Sequence, residues 1–185
     1  MSSRDFDPAH LDVTAFAKAS GALAGSWPLP SLDRLAEGAV MAALAPGAEG
    51  EVRWSARGEL RPMRGGENQV WLHLQAGARV PLECQRCLKA VDVPLAIERS
   101  FLFVHGEDAA AQLDADSEDD VLALTRALDL RELIEDELLL ALPIVPRHEV
   151  CPEPLVVVDT AASDAPAEKP NPFAALAALK GAKPN

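Results

Sequence analysis

Residues 51–60, Glu51-Val52-Arg53-Trp54-Ser55-Ala56-Arg57-Gly58-Glu59-Leu60, decide the fold class. Val52, Trp54, Ala56, Gly58 and Leu60 are apolar or small, while Arg53, Ser55, Arg57, Glu59 and Arg61 are mostly charged. A period of two fits the pleat of a strand and not the turn of a helix, so one face is buried and the other is polar and basic. The period resumes after the Gly-rich turn at 64–68. There Val70, Leu72 and Leu74 face inward, and Gln69, Trp71, His73 and Gln75 face outward. It continues through Ala78, Val80 and Leu82, and returns in Val91, Val93, Leu95 and Ile97. Near Arg99 it fails, because Phe101-Leu102-Phe103-Val104 is apolar on both faces. A bulge or a strand end covered on both sides accounts for that. Strands joined by short turns imply an antiparallel meander.

Outward from the sheet the signals change. A weakly helical run at 13–19 ends at Gly21, and Trp27-Pro28-Leu29-Pro30 imposes an extended link. Ser31 is placed to cap a short helix near 31–43. Residues 105–127 hold Ala, Asp and Glu without a period and read as a flexible acidic loop. Asp129 with Glu132 forms a capping-box pattern opening a helix over 129–142. Leu130, Leu133, Ile134, Leu138 and Ala141 share its apolar face, Glu132, Glu135 and Asp136 the opposite one, and Pro143 stops it. The expectation is an α+β fold, an antiparallel sheet of about four to five strands flanked by short helices. A single domain over 1–158, with its sheet at about 50–104, precedes a linker and C-terminal tail over 159–185.

The chain has 185 residues and a net charge of −12. Residues 106–140 alone hold 12 acidic and 2 basic groups, net −10, whereas 169–185 hold three Lys and no acid. Such a block repels phosphate and attracts basic protein surfaces. The N-terminus lacks a signal-peptide pattern, and no stretch is apolar enough to span a bilayer, so a cytoplasmic protein is expected. There is no Tyr, no Gly-rich phosphate loop, no GxSxG and no HExxH. With no acid–base constellation in view either, an enzyme, a small-molecule substrate and a membrane partner are not expected.

Three cysteines argue for a reducing compartment rather than a disulfide scaffold. Cys84-x-x-Cys87 and His148-x-x-Cys151 offer the four ligands of a tetrahedral Cys3His zinc site. The alternative is no cofactor, with two reduced thiols at a turn and His148 and Cys151 close only in sequence. A thiol redox role needs a low-pKa Cys84, and both flanks of this pair read as strand rather than as a helix N-terminus. Arg53, Arg57 and Arg61 on one strand face, with Arg86 near the cysteines, are candidate RNA contacts, although Glu59 and Glu83 interrupt them.

Glu83-Cys84-Gln85-Arg86-Cys87, the block Ile134-Glu135-Asp136-Glu137 running through Pro146 to His148, and Asn171-Pro172-Phe173-Ala174-Ala175-Leu176-Ala177-Ala178-Leu179-Lys180 occur in that order. Together they resemble the YceD family, bacterial proteins needed for accumulation of large-subunit ribosomal RNA. The resemblance implies a non-catalytic ribosome-biogenesis factor that supports synthesis, processing or stability of 23S ribosomal RNA. Its partners would be ribosomal proteins or assembly factors of the large subunit, with the RNA touched directly or indirectly. On this reading Glu132, Glu135 and Asp136 hold a basic partner. The tag's Phe173, Leu176 and Leu179 dock in a groove, or fold back on the chain's own domain. The alternative is a zinc-stabilised adaptor for basic proteins outside the ribosome pathway.

Overall fold

In the computed structural model, residues 6–44, 50–63 and 65–153 are described. Five strands form one sheet in the order β1 (Ala22–Pro28), β2 (Glu51–Arg61), β3 (Gln69–Glu83), β4 (Ala90–Val104) and β5 (Asp120–Ala123). The first four are an antiparallel meander, and β5 runs parallel to β4. The predicted α+β architecture is present. The stretch 22–28, of which the sequence reading places only Trp27 and Pro28, in an extended link, is a strand. Its period is masked because Ala22, Ala24, Gly25 and Ser26 carry too little side chain to show one.

The two long strands pair in one unbroken register, from Val70 opposite Phe103 to Glu83 opposite Ala90. No bulge therefore lies near Arg99. The double-sided apolar run is a strand end covered twice. Phe101 and Phe103 join the main core, whereas Leu102 packs on the other face with Trp71, Ala110 and Val121. Trp71 does point outward as its period demands, yet it is buried there.

What covers it is the segment expected to be a flexible loop. Residues 105–127 hold helix α3 (Glu107–Asp116) and β5, a crossover that brings the chain back parallel to β4. Parallel neighbours need such a crossover, which a bare loop seldom supplies. Only Ala110 of α3 is buried, so a long apolar period had no reason to appear in the sequence. Glu107 and Asp108 occupy the first turn, where carboxylates favour the helix dipole.

The inner face of the sheet is covered by α1 (Val13–Lys18), α2 (Asp33–Glu37) and α4 (Leu130–Leu140). Gly58 lets α1 approach β2, since a Cβ there would lie 2.8 Å from the Ala17 backbone nitrogen. In α4, Asp129 caps the N–H groups of Arg131 and Glu132 at 2.8 and 3.3 Å, and Leu130, Ile134 and Leu138 are fully buried. Each such side chain contributes roughly 1.5–3 kcal/mol.

The helix expected over 31–43 shrinks to α2, flanked by 3₁₀ turns at Leu29–Ser31 and Met41–Ala43. Ser31 does not cap it; its hydroxyl donates to the Pro28 carbonyl at 2.7 Å. The cap comes from 100 residues away. Glu135 Oε1 accepts the backbone N–H groups of Arg34 and Leu35 at 2.8 and 3.0 Å. A local pattern cannot disclose a remote cap.

Candidate metal centre and charged surfaces

β3 ends at Glu83 and β4 begins at Ala90, so Cys84–Cys87 form the tight connection between two paired strands. The Cys84 N–H reaches the Lys89 carbonyl at 2.9 Å and the Leu88 N–H returns to the Cys84 carbonyl at 2.8 Å. Leu88 adopts a φ of 59°, a left-handed turn that lets both thiols face the same way. Beyond Pro143, which ends the helical run, the chain passes this knuckle, and the Gln85 N–H bonds the Pro146 carbonyl at 2.9 Å. His148 and Cys151 are thereby brought to Cys84 and Cys87.

One ligand atom from each of the four lies within 4.8 Å of all the others. Cys84 Sγ and Cys151 Sγ are 4.0 Å apart, and Cys87 Sγ is 3.5 Å from His148 Nδ1. Zn–S bonds of ~2.3 Å meeting at tetrahedral angles put sulfurs roughly 3.7 Å apart, so these spacings suit one ion. All three cysteines are free thiols. His148 Nε2 lies 3.1 Å from the Ala90 carbonyl. A carbonyl only accepts, so Nε2 carries a proton, and Nδ1 is the ring nitrogen that faces the Cys87 sulfur and would ligate a metal.

Burial opposes ionisation of Cys84, but N–H groups of His148, Arg86 and Cys87 directed at its sulfur outweigh it and bring its pKa down to about 5. At Cys87 a Lys89 N–H favours the thiolate, yet burial and the neighbouring Cys151 and Cys84 push the pKa up on balance. The set thus holds one ready thiolate beside a thiol, a pattern suited to metal uptake with proton release. Cys84 is fully buried, so its low pKa serves a ligand better than an attacking nucleophile.

Arg86, expected at an RNA surface, serves this corner. Its Nε–H donates to Cys151 Sγ at 3.0 Å, and Nη2 reaches the carbonyls of His148 and Glu149 at 3.0 and 3.2 Å. The Cys151 contact is the largest factor raising its own pKa. Sequence spacing marked the four ligands but not this cation or the Ala90 carbonyl, because neither belongs to a metal motif.

On the outer sheet face Arg53 pairs with Glu51 at 2.8 Å, and Arg61 pairs with Glu59 at 2.9 Å while lying 4.3 Å over the Trp71 ring. Glu59 also accepts from His73 at 2.8 Å. Arg61 first, then His73, hold its pKa down at about 2. Of the three strand arginines, Arg57 stands without an ion-pair partner among the described residues.

The α4 acids divide. Glu135 is buried against α2, with Oε2 accepting from the Arg34 guanidinium at 3.1 and 3.2 Å. Asp136 Oδ1 takes the same guanidinium at 2.6 Å, and Glu137, also buried, accepts from Arg99 at 2.9 Å. Of the expected partner-binding trio, only Glu132 is exposed and uncommitted; Glu135 is internal, which corrects its placement on a solvent face. The acids on and just after α3 are exposed as well: Glu107, Asp108, Asp114, Asp116, Glu118, Asp119 and Asp120. Phe173, Leu176 and Leu179 lie outside the described residues.

Comparison with known proteins finds a family whose span includes both cysteine-bearing segments. The family profile described as "Large ribosomal RNA subunit accumulation protein YceD" matches residues 72–180. A protein of that name from Haemophilus influenzae is 39% identical over 115 residues, covering 55% of this chain and 60% of the relative. The matched region thus spans less than two thirds of that relative's length. No solved structure matches the chain. Among the described residues no helix is long and apolar enough to cross a membrane.

Proposed function

Since the chain belongs to the YceD family, we propose that it supports accumulation of 23S ribosomal RNA without performing chemistry, by holding basic proteins of the large subunit during assembly. The observation that carries this reading is the exposed acidic surface of α3 and the residues after it, Glu107, Asp108, Asp116, Glu118 and Asp119; Glu132 of α4, on the helix that covers the other sheet face, is a separate exposed acid. Cationic ribosomal proteins would be drawn to such a surface and RNA repelled. Direct RNA contact is the weaker alternative, because Arg53 and Arg61 are neutralised by Glu51 and Glu59 and Arg86 is engaged at the thiols. That leaves Arg57 as the strand cation open to phosphate.

The Cys84, Cys87, His148 and Cys151 set would hold a structural zinc that ties the segment after α4 to the turn between β3 and β4. The matched region extends to residue 180 and so takes in the tag. Phe173, Leu176 and Leu179 would form a second docking element.

Affinity capture from cell extract tests the protein reading. Large-subunit ribosomal proteins should be retained at low salt, released at high salt, and unaffected by ribonuclease. Loss of every ribosomal protein on ribonuclease treatment would mean that RNA carries the contact and would overturn it.

A further inference from the structure

β1 is an edge of the sheet, and the ladder leaves half of its backbone groups pointing away from β2. The Gly58 N–H bonds the Gly21 carbonyl at 2.9 Å and the Leu29 N–H bonds the Gly50 carbonyl at 3.1 Å. With Ala22 opposite Arg57 and Trp27 opposite Val52, odd-numbered residues of β1 bond to β2. In an antiparallel ladder the alternate residues then direct N–H and C=O to the free edge. Those are Ala22, Ala24 and Ser26, and their outward backbone groups have no backbone partner among the described residues. Pro28, which has no N–H, ends the open stretch.

Edge strands in soluble proteins are usually blunted by charge, bulges or proline within the strand. Residues 22–27, Ala-Leu-Ala-Gly-Ser-Trp, carry none of these, and each is exposed or half-buried. From this uncharged, unpaired edge we infer that β1 pairs with β1 of a second copy of this chain, about a two-fold axis at Ala24, extending the sheet across both copies.

The register is self-complementary. Placing Ala24 opposite Ala24 of the second copy also places Ala22 opposite its Ser26, so each outward N–H meets an outward C=O. On the outer face only small side chains then meet. On the inner face Leu23 stands opposite Gly25 of the second copy and Trp27 opposite its Gly21, a large residue against a glycine in both pairs. A shift by two residues loses this match and leaves an end residue unpaired. No like charges are brought together, and such an isologous contact closes after two chains.

Light scattering with size exclusion, run on the full chain across a concentration series, decides the matter. The wild type should show twice the chain mass. Ala24→Pro removes the central outward N–H, which serves no bond inside the chain, and should give single-chain mass with an unchanged circular dichroism spectrum. Ala24→Lys and Ala24→Glu each set like charges opposite one another and should also give single-chain mass. Mixing those two should restore the double mass, and this pair keeps the test decisive if the proline variant misfolds. A wild type at single-chain mass throughout, or folded Ala24 variants that keep the double mass, would overturn the pairing.

Discussion

The two acidic helices of this chain use the same side chains for opposite ends. α4 turns Glu135 and Glu137 inward, where each is nearly all buried and meets an arginine from another element. α3 buries one alanine and leaves its carboxylates exposed, and among them Asp114 accepts the Val121 N–H. Counted along the sequence they form one block of net −10, yet only part of that charge is available to a partner. Charge density in a sequence measures attraction at long range; which carboxylates can bind depends on which are already bound.

The sharpest separation of the two regions comes from the metal corner, which anchors the segment leaving α4 and, among the described residues, shares no hydrogen bond or ion pair with α3. Metal analysis of the purified chain should find one zinc per molecule. Cys84→Ser should lose it and lower the unfolding free energy by about 4 kcal/mol or more, since folding and metal binding are coupled. A wild type purified without zinc, or a variant as stable in urea as the wild type, would detach this corner from the architecture.

Next in size is Glu135→Ala, with an expected cost of about 3 kcal/mol. The change leaves the N–H groups of Arg34 and Leu35 without their acceptor and Arg34 with Asp136 as its one remaining counter-charge among the described residues. Glu135→Gln should recover part, because the amide oxygen still accepts from the backbone. Glu137→Ala loses one charged hydrogen bond to the half-exposed Arg99 and should cost about 1.5 kcal/mol. Denaturant unfolding orders them, and the contrast fails if Glu132→Ala proves as costly as Glu135→Ala.

How much of this was legible beforehand follows from the range of each interaction. The strand over 51–61, the apolar face of α4 and the Asp129 cap are local, and the sequence displays them directly. The four metal ligands were recognisable as two half-sites, but their convergence rests on β3 and β4 sharing one register and on the chain returning past Pro146. β1 and α3 escaped for a different reason. One has side chains too small to show alternation, the other buries a single residue, and both are strands or helices by virtue of what lies beside them. Glu135 as the cap of α2 is the extreme case, a bond between positions whose sequence neighbourhoods say nothing of each other.

The smallest effect on stability should accompany the largest on binding. Converting Asp116, Glu118 and Asp119 to their amides removes exposed charge beyond the first turn of α3. It spares Asp114, whose carboxylate accepts the Val121 N–H at 3.1 Å. Exposed substitutions of this kind change stability by about 0.5 kcal/mol or less, and relief of self-repulsion in so acidic a chain pushes the sign toward stabilisation. Capture of basic ribosomal proteins should nevertheless fall, most at low ionic strength, where exposed charges are least screened. The amide variant should therefore melt no lower than the wild type while its capture at low salt drops to the level the wild type shows at high salt. If capture were untouched in that variant but lost in Glu132→Gln, the binding surface would belong to α4. The division between an inward and an outward acidic helix would then have no functional meaning.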